Sequence, residues 1–146
     1  MGKMHKYCTF FLNQECFGIE VEKVQEVIIE QPFTPVHLAP DTIKGMINLR
    51  GQIVVVMDLR YRLEYPPVSK TSTNAMILVL KHKEHSIGFL VDSVGEVLEV
   101  DTENFHTAPE TLRGAAKEMI LGSYKLDNVL LKILNVETMK DFKIAT

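Results

Sequence analysis

One pattern is written twice in this chain. "FGIEVEKVQEV" begins at Phe17, and "IGFLVDSVGEV" begins at Ile87, seventy positions later. Gly18, Val21, Val24, Glu26 and Val27 recur as Gly88, Val91, Val94, Glu96 and Val97 with no gap. A repeat of this length is too long for a solenoid unit and suits a small barrel of about five strands. The same kind of strand precedes each copy: "YCTFFL" leads in through "NQE", and "MILVL" leads in through "KHKEH". Each therefore reads as strand, turn, strand, a β-hairpin. Past the glycine the apolar spacing widens from two to three, at Val21–Val24 and Val91–Val94. That spacing predicts one helical turn before the chain extends again through "EVIIE" or "EVLEV".

A second correspondence follows in the same order. "GMINLRGQIVVVMDLR" from Gly45 resembles "GSYKLDNVLLKILNVE" from Gly122, an offset of 77. Leu49 matches Leu126, and the turn pairs Arg50-Gly51 and Asp127-Asn128 coincide. The added length falls within "DTENFHTAPETLRGAAKEMI". Both matches together point to duplication. The expected fold is mostly β: a single domain of two SH3-like five-stranded β-barrels packed side by side, with short helices. The first barrel is expected over residues 7–66 and the second over 74–138. The linker, 66–74, lies in "RLEYPPVSKTSTN", where Pro66-Pro67 and a Ser/Thr-rich run break the periodicity. Barrel closure disposes of exposed strand edges. Helical pieces are expected at "PDTIKG", at "APETLRGAA" and at "NVETMKDF".

A chain of 146 residues, 46% apolar and 24% charged, has the composition of a soluble globular protein. It is long enough to bury about 70% of its unfolded surface without a metal or disulfide. A net charge of −3 argues against a nucleic-acid partner, which wants a basic face. No hydrophobic signal core opens the sequence. The longest apolar run, Ala75 to Leu80, is strand-sized, so no direct membrane insertion is expected and the reading is cytoplasmic. Cys8 and Cys16 flank the "NQE" turn without sitting opposite one another, so no disulfide is expected between them.

A search for chemistry finds no catalytic residues. The eight glycines form no nucleotide loop. His82 and His85 make an H-x-x-H, but on a predicted hairpin turn, which lacks the rigidity and further ligands a metal needs. No serine or cysteine stands in a nucleophile motif. Glu20 and Glu22 read as a solvated face of one strand. No metal and no cofactor are expected. What remains is "NLRG", Asn48, Leu49, Arg50 and Gly51. It reads either as a hairpin turn with glycine at positive φ or as a recognition tip, whose arginine fork can hold a carboxylate. Glu26 is the natural internal partner of Arg50.

The blocks "KVQEVI", "IKGMINLRGQIVVVMDLR" and "IGFLVDSVGEVLEV" resemble those of the CheW family of bacterial chemotaxis coupling proteins. The resemblance runs from Tyr7 to Phe142 in the family's block order. It implies two SH3-like barrels, in agreement with the duplication. It also implies a non-enzymatic adaptor, coupling the cytoplasmic tip of chemoreceptors to the regulatory domain of the histidine kinase CheA, at the inner face of the membrane in receptor arrays. By resemblance, Val24, Glu26, Gly88, Val94 and Val97 match receptor-facing positions, Asn48 to Gly51 the signature turn, and Val21 the kinase-facing side. Core packing is the alternative reading of the valines. Val55 stands where proline is common. His106 and Thr111 depart from the arginine and large apolar residue of related adaptors, in the segment associated with a second kinase contact. Lys132 is expected on the outer face of the last strand. A peptide-binding SH3-like module is the other class considered. It would need an aromatic groove, and the chain has no Trp and four Tyr.

Overall fold

The computed structural model describes residues 3–64, 75–81, 86–108 and 118–139. Among the described residues eleven strands run in order: β1 (Met4–Leu12), β2 (Glu15–Glu20), β3 (Val24–Ile29), β4 (Ile43–Leu49), β5 (Gln52–Asp58), β6 (Met76–Leu80), β7 (Ser86–Val91), β8 (Ser93–Asp101), β9 (Phe105–Thr107), β10 (Ile120–Lys125) and β11 (Leu130–Leu134). Helix α1 (Leu59–Arg62) follows β5, and α2 (Val136–Met139) follows β11. Single 3-10 turns occupy Val21–Lys23 and Thr102–Asn104.

The strands form two sheets, ordered β8-β1-β2-β11-β10-β9 and β3-β6-β7-β5-β4. Each closes on itself through one bent segment. β8 and β9 stand at opposite ends of the first order yet are joined by the Thr102–Asn104 turn alone. In the second, the chain beyond β3 returns at Thr34 to bridge Met46 of β4. Counting β8–β9 as one bent strand, both are five-stranded barrels.

The sheets are not drawn from the two halves of the chain in turn. Hairpin β1–β2 joins β8 to β11, while hairpin β6–β7 joins β3 to β5. Each barrel thus takes its hairpin from one repeat and its remaining strands from the other. The boundaries 7–66 and 74–138 describe repeats rather than barrels, and the 66–74 linker lies outside the described residues. The short crossovers explain the exchange. Three residues separate β2 from β3, and Asp92 alone separates β7 from β8. So short a connection carries the chain straight into the neighbouring sheet.

The duplication holds in atomic detail. Gly18 pairs with Ile133 in the parallel β2–β11 ladder, and Gly88 pairs with Val56 in the parallel β7–β5 ladder. These pairs correspond at offsets of 70 and 77 together. A Cβ on Gly18 would meet Leu131, Ile133 and Tyr7 at 3.1–3.3 Å, and one on Gly88 would meet Ile77 at 2.7 Å and Val54 and Val56 at 3.3 Å. The repeated glycine is where strands approach too closely for a side chain. A register shift recurs at Ile43/Gly45 and Ile120/Gly122.

Three cores follow. Tyr7, Cys16, Tyr124, Leu131 and Ile133 fill one barrel; Ile47, Val54, Val56, Ile77 and Val79 fill the other. The third lies at the seam, where Phe10, Leu12, Phe17 and Ile19 meet Leu78, Leu80, Ile87 and Phe89. Alternate residues of each hairpin serve a barrel and the seam, so both strand faces are apolar, as strands covered on both sides require. Each fully buried Phe or Leu contributes about 1.5–3 kcal/mol.

Several local expectations change. "PDTIKG" forms one hydrogen-bonded turn, Ile43 N to Pro40 O at 2.9 Å, because Ile43 is already in β4. The helical turn predicted after each glycine forms at Val21–Lys23 but not at Val91–Val94, where Asp92 bends the chain directly into β8. Glu20 ends β2 while Glu22 sits in the 3-10 turn, so they share no strand face. "NVETMKDF" is helical over Val136–Met139. His82, His85, Thr111 and most of "APETLRGAA" lie outside the described residues. Cys8 pairs with Ile19 and Cys16 with Phe11, and both thiols are free.

Candidate functional site

The "NLRG" segment forms the two-residue hairpin between β4 and β5. Arg50 (φ 51°) and Gly51 (φ 86°) both take positive φ, the geometry that matches strand twist in tight hairpins. Leu49 pairs with Gln52 across it, and Asn48 Oδ1 accepts the Gly51 N–H at 2.9 Å. Asparagine thus caps the turn, while Leu49 turns inward toward the second barrel's core. Arg50 reaches back to β3, where its guanidinium donates to Glu26. The arginine side chain is 68% exposed and the glutamate 24%, so a mobile cation is tethered to a carboxylate fixed in a strand. The hairpin reading of the turn holds, and its arginine pairs within the same barrel with Glu26.

The repeated valines occupy different environments. Val24 on β3 and Val94 on β8 are half-buried against the seam core, as is Val27. Val97, three residues further along β8 and past a register shift, is 56% exposed. Val21 is half-buried in the 3-10 turn. Gly88 is buried in the wall of the second barrel and offers no surface, because Ile77, Val54 and Val56 enclose it. His106 is exposed on β9. Val55 is buried in β5 with Met46 on one side and Ile87 on the other. Lys132 lies on β11, its ammonium 2.5 Å from Glu15 and 5.4 Å from the centre of the Phe17 ring.

One polar cluster escaped the sequence reading. Asp92, at the β7–β8 crossover, accepts Arg60 Nε at 2.7 Å and a second guanidinium nitrogen, and also the Asn13 N–H at 2.8 Å. Asp58 caps α1 through the Arg60 N–H at 3.1 Å. Burial alone raises the Asp92 carboxyl, but the Arg60 guanidinium and the Asn13 N–H outweigh it and hold it below its usual range. The bond to Asp92 raises Arg60 in turn, against its own burial. The repeat carries the cap of this cluster but not its ion pair, since Glu137 and Glu22 stand where Arg60 and Asp92 do. Helix α1 is the copy of α2 at offset 77, and Asp58 the copy of Asn135, whose Oδ1 accepts the Thr138 N–H at 3.3 Å.

Among the described residues no cluster of His, Cys, Asp or Glu could hold a metal ion, and no helix is long and apolar enough to cross a membrane. Burial raises both cysteine thiols. Burial, and then the neighbouring Tyr124 hydroxyl at 3.4 Å, raise Tyr7. Such groups are kept neutral inside a core.

The model of the CheW-like domain matches residues 6–142. The chain belongs to the CheW-like family. It is 34% identical to the chemotaxis protein CheW of Klebsiella aerogenes over 134 residues, covering 92% of this chain and 80% of that one. With CheW of Bacillus subtilis it shares 29% over 136 residues, 93% of this chain and 86% of that one. The crystal structure of the scaffolding protein CheW from Thermoanaerobacter tengcongensis superposes with a TM-score of 0.81 at 28% identity, covering 92% of this chain and 90% of that chain. CheW-like proteins are chemotaxis scaffolds and adaptors rather than enzymes. The two-barrel architecture is the family's own.

Proposed function

We propose that this protein is an adaptor that joins the cytoplasmic tips of chemoreceptors to the histidine kinase CheA, at the inner face of the membrane. The observation that carries this reading is the tethered Arg50–Glu26 pair at a hairpin tip, together with exposed Val97 and half-buried Val24 and Val94 on the strands bordering the seam. An adaptor needs apolar area to bury and a charge that can change partners, and these residues supply both. Receptor contact falls to Val97, Val94, Val24 and Glu26. The turn Asn48 to Gly51 supplies the arginine, and the kinase regulatory domain meets the side near Val21.

The test is co-sedimentation with receptor-containing membranes and CheA, compared with either partner alone, for wild type and Val97→Asp. The exposed Val97 can accept a carboxylate without unfolding the barrel, whereas on binding that carboxylate is desolvated without a partner. Loss of receptor binding with retained kinase binding is expected. Equal retention of both would remove Val97 from the receptor surface.

A further inference from the structure

The exchange of hairpins inside one chain implies that the same exchange is open between two chains. Each barrel already receives a hairpin from the other repeat, so the pairing of β1 with β8 and of β2 with β11 is specified by register and packing alone. Within the described fold, β1–β2 is joined to the rest only through the 3-10 turn Val21–Lys23.

The two crossovers are held very differently. At the second, Asp92 is pinned by two guanidinium bonds and the Asn13 N–H. The first has no side-chain cap at its start and buries none of its residues, and Lys23 reaches Glu137 at 3.9 Å. A 3-10 turn rises about 2 Å per residue and an extended chain about 3.3 Å, so opening it lengthens the crossover by roughly 4 Å and turns the hairpin outward.

We propose that this chain forms a hairpin-exchanged dimer in which β1–β2 of each copy completes the β8-to-β11 barrel of the other, with Val21–Lys23 as the opened hinge. Every contact of the hairpin is rebuilt in the dimer, so the two forms differ only at the hinge and in association entropy. Exchange requires the hairpin to leave both cores, where Tyr7, Phe10, Leu12, Phe17 and Ile19 are at most 3% exposed. Monomer and dimer therefore interconvert slowly, and a dimer made during concentrated refolding persists on dilution.

The pair Lys132–Glu15 reports the exchange without mutation. Its ammonium and carboxylate are 2.5 Å apart on β11 and β2, so a zero-length carbodiimide joins them as an amide. Equal amounts of unlabelled and isotopically heavy chains are unfolded together, refolded at low and at high concentration, separated by size, cross-linked and digested. The expected result is a dimer peak only after concentrated refolding, with about half of its Glu15–Lys132 peptides joining a light chain to a heavy one. Deleting Glu22 shortens the hinge and is expected to raise the dimer fraction. A dimer whose Glu15–Lys132 peptides are all of one isotope would overturn the proposal. So would a protein that stays monomeric at every concentration with and without the deletion.

Discussion

Arg60 and Asp92 clasp the two repeats together: a guanidinium from the helix after β5 holds, with two bonds, the carboxylate at the β7–β8 crossover. The same carboxylate accepts the Asn13 N–H from the β1–β2 turn, where Asn13 and Gln14 both take positive φ. One side chain thus ties three segments at the seam.

Asp92→Asn is expected to destabilise the protein by about 2–3 kcal/mol, since it removes the carboxylate that makes two bonds to a largely buried arginine. The effect has a pH signature. The Asp92 carboxyl is held below its ordinary value in the folded state, so its contribution is fully present above the unfolded carboxylate pKa of about 3.9. It is lost as pH falls through the folded value. Melting curves of wild type and Asp92→Asn should therefore differ at neutral pH and converge in acid. A constant gap down to strongly acidic pH would assign the cost to packing.

Arg50→Glu should leave stability within about 1 kcal/mol of wild type, because the arginine end of the pair is mostly exposed and can swing away from Glu26 into water. Coupling of receptor to kinase should fall by far more, since like charges then meet at the interface. A thermal melt beside a reconstituted kinase assay separates the two. A large drop in melting temperature would make the pair structural.

The repeated glycines should not cost the same when given a methyl group. Gly88→Ala brings Cβ within 2.7 Å of Ile77, whereas Gly18→Ala meets nothing nearer than 3.1 Å. Gly88→Ala is expected to lose about 1–3 kcal/mol by overpacking, and Gly18→Ala less. Urea unfolding of both variants measures the difference.

Hairpin exchange also predicts that the barrels unfold as one unit. Residues 1–69 alone would hold β1–β2 without β8 and β11, and β3 to β5 without β6 and β7. Neither this fragment nor 70–146 should show a cooperative melt, while their mixture should regain one. Calorimetry of the intact chain should give a single transition. Two separated transitions would mean that each barrel is stable without the shared seam.

The sequence alone determined the duplication, the hairpins and the tight turn at Arg50-Gly51, because these rest on period, spacing and the φ demands of local residues. It also pointed to the Arg50–Glu26 pair, which spans only 24 positions and a single barrel. Which hairpin completes which barrel was decided by tertiary structure. Tyr7, Cys16 and Gly18 carry the same alternation as Ile77, Ser86 and Gly88, so either hairpin satisfies the local pattern of either barrel. Only the crossovers, too short to fold back, and the parallel ladders β2–β11 and β5–β7 between distant strands select the exchanged partner. The burial of the valines was decided in the same way. Val94 and Val97 look alike in the sequence, yet the bend of β8 turns one onto the seam core and leaves the other in water, because burial depends on which strands arrive beside it.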